Sequence, residues 1–172
     1  MPLFSVGGAG SASAGRWLSP VNTTVTTDST AGVAGRVYLS QFTVPTACDI
    51  DGLCYIVVTS SGNVTGGIVG PIAVEDDSPD GAAVVAQSAS TAVGSVGAQV
   101  LTWTPVLVQP GIYYTCLEFD NGTVEYGFTG NHGAPGLERR YDRGGGYGAL
   151  TDPVPVTASN SVPPRVRIRV AS

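Results

Sequence analysis

Apolar and polar residues alternate with a period of two along much of this chain, which is the spacing of strands rather than helices. Positions 36–45 set Val37, Leu39, Gln41 and Thr43 against Tyr38, Ser40, Phe42 and Val44. The C-terminal run Arg165-Val166-Arg167-Ile168-Arg169-Val170 alternates strictly, with its arginines on one face. Positions 51–59 are nearly continuously apolar, as expected of a strand covered on both faces. Positions 64–74 are broken by glycines, which predicts a bulged or bent strand. Further strands are predicted at 82–87, 99–108, 111–120 and 123–129. The total is about eight strands and no helix, the pattern of an all-β antiparallel sandwich of jelly-roll type.

The strongest local signal is the run from Gln109-Pro110-Gly111 through Asn121-Gly122 to Tyr126. Asn-Gly is the preferred pair for a two-residue type I′ hairpin loop, because both central residues need positive φ. Such a loop would set Asp120 opposite Thr123, Phe119 opposite Val124, Glu118 opposite Glu125 and Leu117 opposite Tyr126. Tyr113, Thr115, Leu117 and Phe119 would then share a core face with Val124, Tyr126 and Phe128.

At 172 residues the chain is most simply one domain, large enough to bury a core without staples. Residues 1–35 are poor in charge and rich in Gly, Ser and Thr, and they read as an extended N-terminal arm for docking or assembly. Its apolar residues Leu3, Phe4, Trp17 and Leu18 are the candidate docking contacts. Residues 36–172 carry the sandwich. Two long irregular stretches interrupt it, an acidic loop at 75–81 and an excursion at 130–164, and loops of that length usually serve function or meet a partner.

Charge changes the picture in two ways. Only 12% of residues are charged, about half the usual share, which suits a surface partly covered by neighbouring subunits. The net charge is −5 and every basic residue is an arginine, so there is no electrostatic footprint for nucleic acid. The N-terminus lacks the pattern of a secretory signal, and no apolar run is long enough to span a membrane. Synthesis in a cytoplasm without ordinary export is the expectation.

The candidate chemistry is thin. Glu118 opposed to Glu125 would be a carboxylate pair of the kind glycosidases use, or an exposed pair neutralised by an arginine. Glu75, Asp76, Asp77 and Asp80 offer oxygen ligands for calcium, but their order is not that of an EF-hand loop. His132, the one histidine, has no nucleophile motif beside it. Gly144-Gly145-Gly146 lacks the lysine of a phosphate-binding loop. Cys48, Cys54 and Cys116 have no metal-type spacing and read as small buried hydrophobes, with a Cys48–Cys54 bridge open on proximity alone. His132, Arg139, Arg140, Tyr141, Arg143 and Tyr147 gather the residue types that stack on sugars and anchor interfaces, and they are the candidate glycan-binding set. No catalytic residue, metal or cofactor is expected.

The order of several motifs resembles that in small jelly-roll proteins of tailed-bacteriophage virions, found in fibres, receptor-binding components and capsid-surface proteins. They are Arg36-Val-Tyr-Leu-Ser-Gln-Phe-Thr-Val-Pro45, Ile50-Asp-Gly-Leu53, Pro110-Gly111-Ile112-Tyr113-Tyr114 and Gly146-Tyr147-Gly148-Ala149-Leu150 before a proline-rich approach to the last strand. The resemblance implies a virion-surface β-sandwich, a homotrimer, contact with capsid or fibre proteins, and in some members binding of host carbohydrate. The short arm leaves no room for a fibre shaft, which favours capsid decoration or a head fibre over a receptor-binding tail tip.

Overall fold

A computed structural model describes residues 16–18, 29–73, 78–127, 138–142, 146–155, 158–159 and 166–171. The described residues form strands β1 (Arg16–Leu18), β2 (Ser29–Ala31), β3 (Arg36–Val44), β4 (Cys48–Thr59), β5 (Asn63–Ile72), β6 (Val84–Gln87), β7 (Thr91–Ala92), β8 (Gly97–Val108), β9 (Gly111–Phe119), β10 (Glu125–Gly127), β11 (Glu138–Asp142), β12 (Ala158–Ser159) and β13 (Val166–Val170), and no helix. All eight predicted strands are present. The fold is an antiparallel β-sandwich of two sheets.

In the first sheet β4 is central. Tyr55 pairs with Gln99 of β8 on one side and Val166 of β13 on the other, while Val57 pairs with Gly97 of β8 and Tyr126 of β10. Strands β13 and β10 therefore lie in line along the same side of β4. They form one strand interrupted by residues 128–165. Beyond them β1 pairs with β13 and β2 with β10, a second interrupted strand. The second sheet runs β12-β11-β3-β9-β5-β6, with β7 paired to the start of β5. Counting each interrupted strand once, the orders (β1,β2)–(β10,β13)–β4–β8 and β3–β9–β5–β6 are those of a jelly roll. Strands β1 and β2 thus place two parts of the 1–35 segment inside the sandwich, as its edge. Leu3 and Phe4 lie outside the described residues.

The inward side chains follow the predicted alternation. Tyr38, Phe42 and Val44 of β3, Leu53, Tyr55 and Val57 of β4, Tyr113, Leu117 and Phe119 of β9, and Val166 and Ile168 of β13 meet in one core. Gly-broken β5 carries the expected irregularity between Val69 and Ile72.

The predicted hairpin is corrected. Strand β9 pairs with β3 and β5 in the second sheet, and β10 pairs with β4 and β2 in the first. Asn121-Gly122 is a corner between sheets, and Gly122 lacks the positive φ of a type I′ turn. The Asn121 side chain closes the corner instead, its Oδ1 accepting the N–H groups of Thr123 (2.8 Å) and Val124 (3.1 Å). Phe119, Val124 and Tyr126 do share the core, but from opposite sheets.

Two smaller expectations also change. Cys48 and Cys54 are free and stand six positions apart on one strand, about 20 Å along it, so they cannot bridge within the chain. Strand β4 is covered on its inner face only, with Cys54 and Ile56 half-buried and Val58 exposed outside. The strands buried on both faces are β3, β5 and β9.

Candidate functional site

The two outer faces of the sandwich differ sharply. That of the second sheet is closed by residues 146–155, a strap running antiparallel along the free side of β6. Val154 donates its N–H to Ala82 O (2.9 Å) and accepts the N–H of Gly81 (2.8 Å). Asp152 Oδ1 accepts the Val84 N–H, and Gln87 Oε1 accepts the Leu150 N–H. Leu150 and Val154 then pack on Val37, Leu39, Val69, Tyr114 and Cys116, making a second small core outside the sheet.

Tyr147 fastens the start of this strap. Thr65 Oγ1 donates to its phenol oxygen at 2.9 Å, and Ser90 Oγ lies 2.8 Å from the same oxygen. Thr65 is buried and sits in register with Glu118, which is in turn opposite Val37. Glu118 is fully buried on this outer face. Burial pushes the nearby Cys116 thiol far up from its ordinary pKa, and Glu118 adds to the shift.

The carboxylate pair is therefore dissolved. Glu118 belongs to the second sheet, whereas Glu125 belongs to the first and accepts a hydrogen bond from Thr59 Oγ1 at 2.8 Å. Each projects away from the core, on opposite sides of two sheets about 10 Å apart. No sugar bond fits between them, since paired glycosidase carboxyls stand within about 10 Å.

Of the glycan-binding set, only Tyr147 has a described side chain. Arg139, Arg140 and Tyr141 lie on β11, in register with Leu39, Tyr38 and Val37. Tyr141 stands three strands away from Thr65 along its row, about 14 Å at the usual strand spacing. His132 and Arg143 lie outside the described residues, as do Glu75, Asp76 and Asp77 of the acidic loop; Asp80 is exposed. Among the described residues no three His, Cys, Asp or Glu side chains group as metal ligands.

The outer face of the first sheet keeps several side chains exposed. Arg169 clamps Asp51 through two bonds, Nε to Oδ1 at 2.6 Å and Nη2 to Oδ2 at 2.8 Å, and this hydrogen bonding raises the Arg169 pKa further. Trp17 of β1, half-buried, pairs with Arg169 in register. Arg167, exposed, lines a shallow depression of about 150 Å³ with Cys54, Ile56 and Ala98. Burial raises the Cys54 pKa, and Arg167 opposes the shift. Drug-sized ligands need roughly 300 Å³ or more, so this hollow is no small-molecule pocket. Val58, Val96 and Val100 at the same end of the sheet are exposed, as is Leu107 farther along β8. The sequence carried this signal in the apolar run at 51–59, whose outward Cys54 and Ile56 are only half-buried and Val58 exposed.

The corner between the sheets is a third polar grouping. Asp120 accepts from Asn63 Nδ2 and from Asn121 Nδ2, both at 2.7 Å. Burial tends to raise its pKa, but bonds from Asn63, Asn121 and the backbone outweigh it and hold the carboxyl below its ordinary value. These bonds brace the turn.

No protein-family model matches the chain, and no curated protein matches it. The fold class and the contrast between its two faces are what define it.

Proposed function

We propose that this chain is a non-enzymatic structural jelly roll of a tailed-phage virion surface, of capsid-decoration or head-fibre type. The observation that carries the reading is the asymmetry of the sandwich. The second sheet's outer face is closed by the chain's own strap, while the first sheet carries half-buried Ile56 and exposed Val58, Ala98 and Val100 on its outer side, with Arg167 and the Asp51–Arg169 pair beside them. Exposed apolar surface of this kind is characteristic of a face that a neighbour covers. The arm enters the sandwich beside the same sheet, through β1. Order of motifs supplies the phage assignment, through the resemblance described above.

The test is the copy number of the protein in purified particles, by quantitative mass spectrometry against the major capsid subunit. A number comparable to the capsid subunit's is expected. A number far below it would place the protein on a fibre or tail tip and make carbohydrate its next candidate ligand. Absence from particles would overturn the reading. Deletion of residues 1–13 should release the protein from particles without unfolding it.

A further inference from the structure

Among the described strands, β8 is the long edge of the first sheet. Among the described residues it pairs with β4 alone. The chain carries no Asp, Glu, Lys, Arg or His from 81 to 117, a stretch that holds β6, β7, β8 and most of β9. Edge strands ordinarily carry charge, or are short or covered, because a bare row of backbone N–H and C=O groups templates pairing with another chain. The fold covers the comparable side of β6 with the strap. Among the described residues nothing pairs with the other side of β8, twelve residues long, where Val100 is 43% and Leu107 62% exposed and Val96 just before it 67%.

What pairs with it follows from the other edges. The opposite edge of the first sheet is two three-residue strands, β1 and β2. The edges of the second sheet are two-residue β12 on one side and β6 with β7 on the other, the former under the strap. None offers a continuous partner for a twelve-residue strand. The described strand that matches β8 in length, lack of charge and alternation of exposed apolar and Thr residues is β8 itself. Its longest regular part, residues 97–102, runs about 20 Å, so the main-chain hydrogen bonds of a joined ladder, more than buried area, hold such a pair.

We infer that two copies of this chain pair β8 to β8 antiparallel about a two-fold axis, extending the first sheet across the dimer. The axis lies near Val100. Thr102 pairs with Gly52 and Val106 with Ile50, so residues 103–105, including Pro105, bulge opposite Asp51 and end the regular edge. The straight part is thus 97–102, and Val100 is the centre of 98–102 within it. In that register Val100 faces its own copy and Ala98 faces Thr102 of the partner, all exposed in the single chain. Pairing would join the two outer faces into one broad surface, whatever that surface then meets.

The test is the mass of the full chain by light scattering during gel filtration, loaded at about 100 µM, well above a micromolar Kd. A dimer is expected, and a monomer or any assembly of another order overturns the proposal. Val100→Asp places like charges directly opposite across the axis and should weaken the dimer at least about 100-fold. A Val100→Asp chain that stays dimeric overturns it. Val100→Lys should also be monomeric, and mixing it with Val100→Asp should restore a dimer; failure to restore one overturns the two-fold pairing. Circular dichroism and thermal melting of each variant separate lost association from lost folding, which is not expected at so exposed a position. The result is independent of copy number on particles, so this inference and the virion reading fail separately.

Discussion

Phe119 and Tyr126 stack in parallel, offset, ring centroids 5.4 Å apart and planes 10° from parallel, although each belongs to a different sheet. The pair spans the core beside the corner that carries the chain from β9 to β10. Tyr38 meets Tyr126 edge-on at 5.2 Å, and Tyr55 lies 6.1 Å from Phe119. Four aromatic rings therefore tie the sheets together at one end.

Tyr126→Ala and Phe119→Ala should each cost about 3–5 kcal/mol, because both rings are buried and the rigid sheets cannot collapse into the space. Their double mutant should cost less than the sum by about 0.5–1.5 kcal/mol, the part owed to stacking. Denaturant melts of the three variants check this. Strict additivity would show that the rings merely fill volume.

The same pair explains what could and could not be read from sequence. Strands β3 and β13 were legible because each is long enough to display alternation, as in Val166, Ile168 and Val170 against Arg167 and Arg169, and β9 because Pro110-Gly111 and Asn121-Gly122 bracket it. Strands β1, β2, β7 and β12 were not, since two or three residues cannot show a period of two. The Asn121-Gly122 segment failed for a deeper reason. Two strands that present apolar faces to one core have the same alternation whether they lie side by side or face each other across it. Only long-range pairing decides, here β9 with β3 and β5. The strap was equally silent, because Leu150 and Val154 are isolated apolar residues in a loop-like stretch. So the sandwich was legible, while the burial of Tyr114, Cys116 and Glu118 on its outer face was not.

Gly62 turns the chain between β4 and β5 with φ +67°, and a Cβ there would run into the Asn121 and Asp120 side chains. Gly62→Ala should destabilise by about 1–3 kcal/mol, combining left-handed strain with disruption of the corner. Gly81, at φ +77° with nothing near a Cβ, is the control. Its Ala variant should lose only the strain, about 1 kcal/mol. Equal losses in chemical denaturation would show that the corner contacts add nothing.

Asp120 gives the corner a pH dependence. Its folded pKa is depressed, so its stabilisation is complete above the unfolded carboxyl value near 4 and is lost as pH falls through the folded value. Asp120→Asn keeps the shape but replaces one acceptor with a donor facing Asn63 or Asn121. It should cost about 1 kcal/mol at pH 7, and the difference from wild type should shrink as pH drops below about 4. Paired melting curves at pH 7 and in acid measure it; a cost that does not change with pH would remove the carboxylate from the account.

Thiol chemistry separates the cysteines. Cys116 is fully buried between β3 and β5 with its pKa driven up, whereas Cys48 and Cys54 are partly accessible, their pKa values raised mainly by burial. Iodoacetamide at pH 8 should label Cys48 and Cys54 slowly in the folded protein and Cys116 only on unfolding. Peptide mass mapping distinguishes them. Early labelling of Cys116 would mean that the strap opens readily.

Tyr147 decides between holding the strap and binding sugar. Its phenol oxygen takes the Thr65 hydroxyl proton, and Thr65 is 1% exposed, so Tyr147→Phe strands a buried donor. That should cost about 1–3 kcal/mol and speed hydrogen exchange at Leu150 and Val154. Thr65→Val alone leaves the phenol its Ser90 contact and should cost less. Combining Thr65→Val with Tyr147→Phe removes both partners at nearly constant shape, so the double variant should recover most of the loss. A ligand-binding tyrosine with no structural duty predicts the opposite: Tyr147→Phe would leave melting and exchange untouched and change only carbohydrate binding. Recovery in the double variant assigns the phenol to the strap, because stability restored by deleting a second hydroxyl has no explanation in sugar recognition.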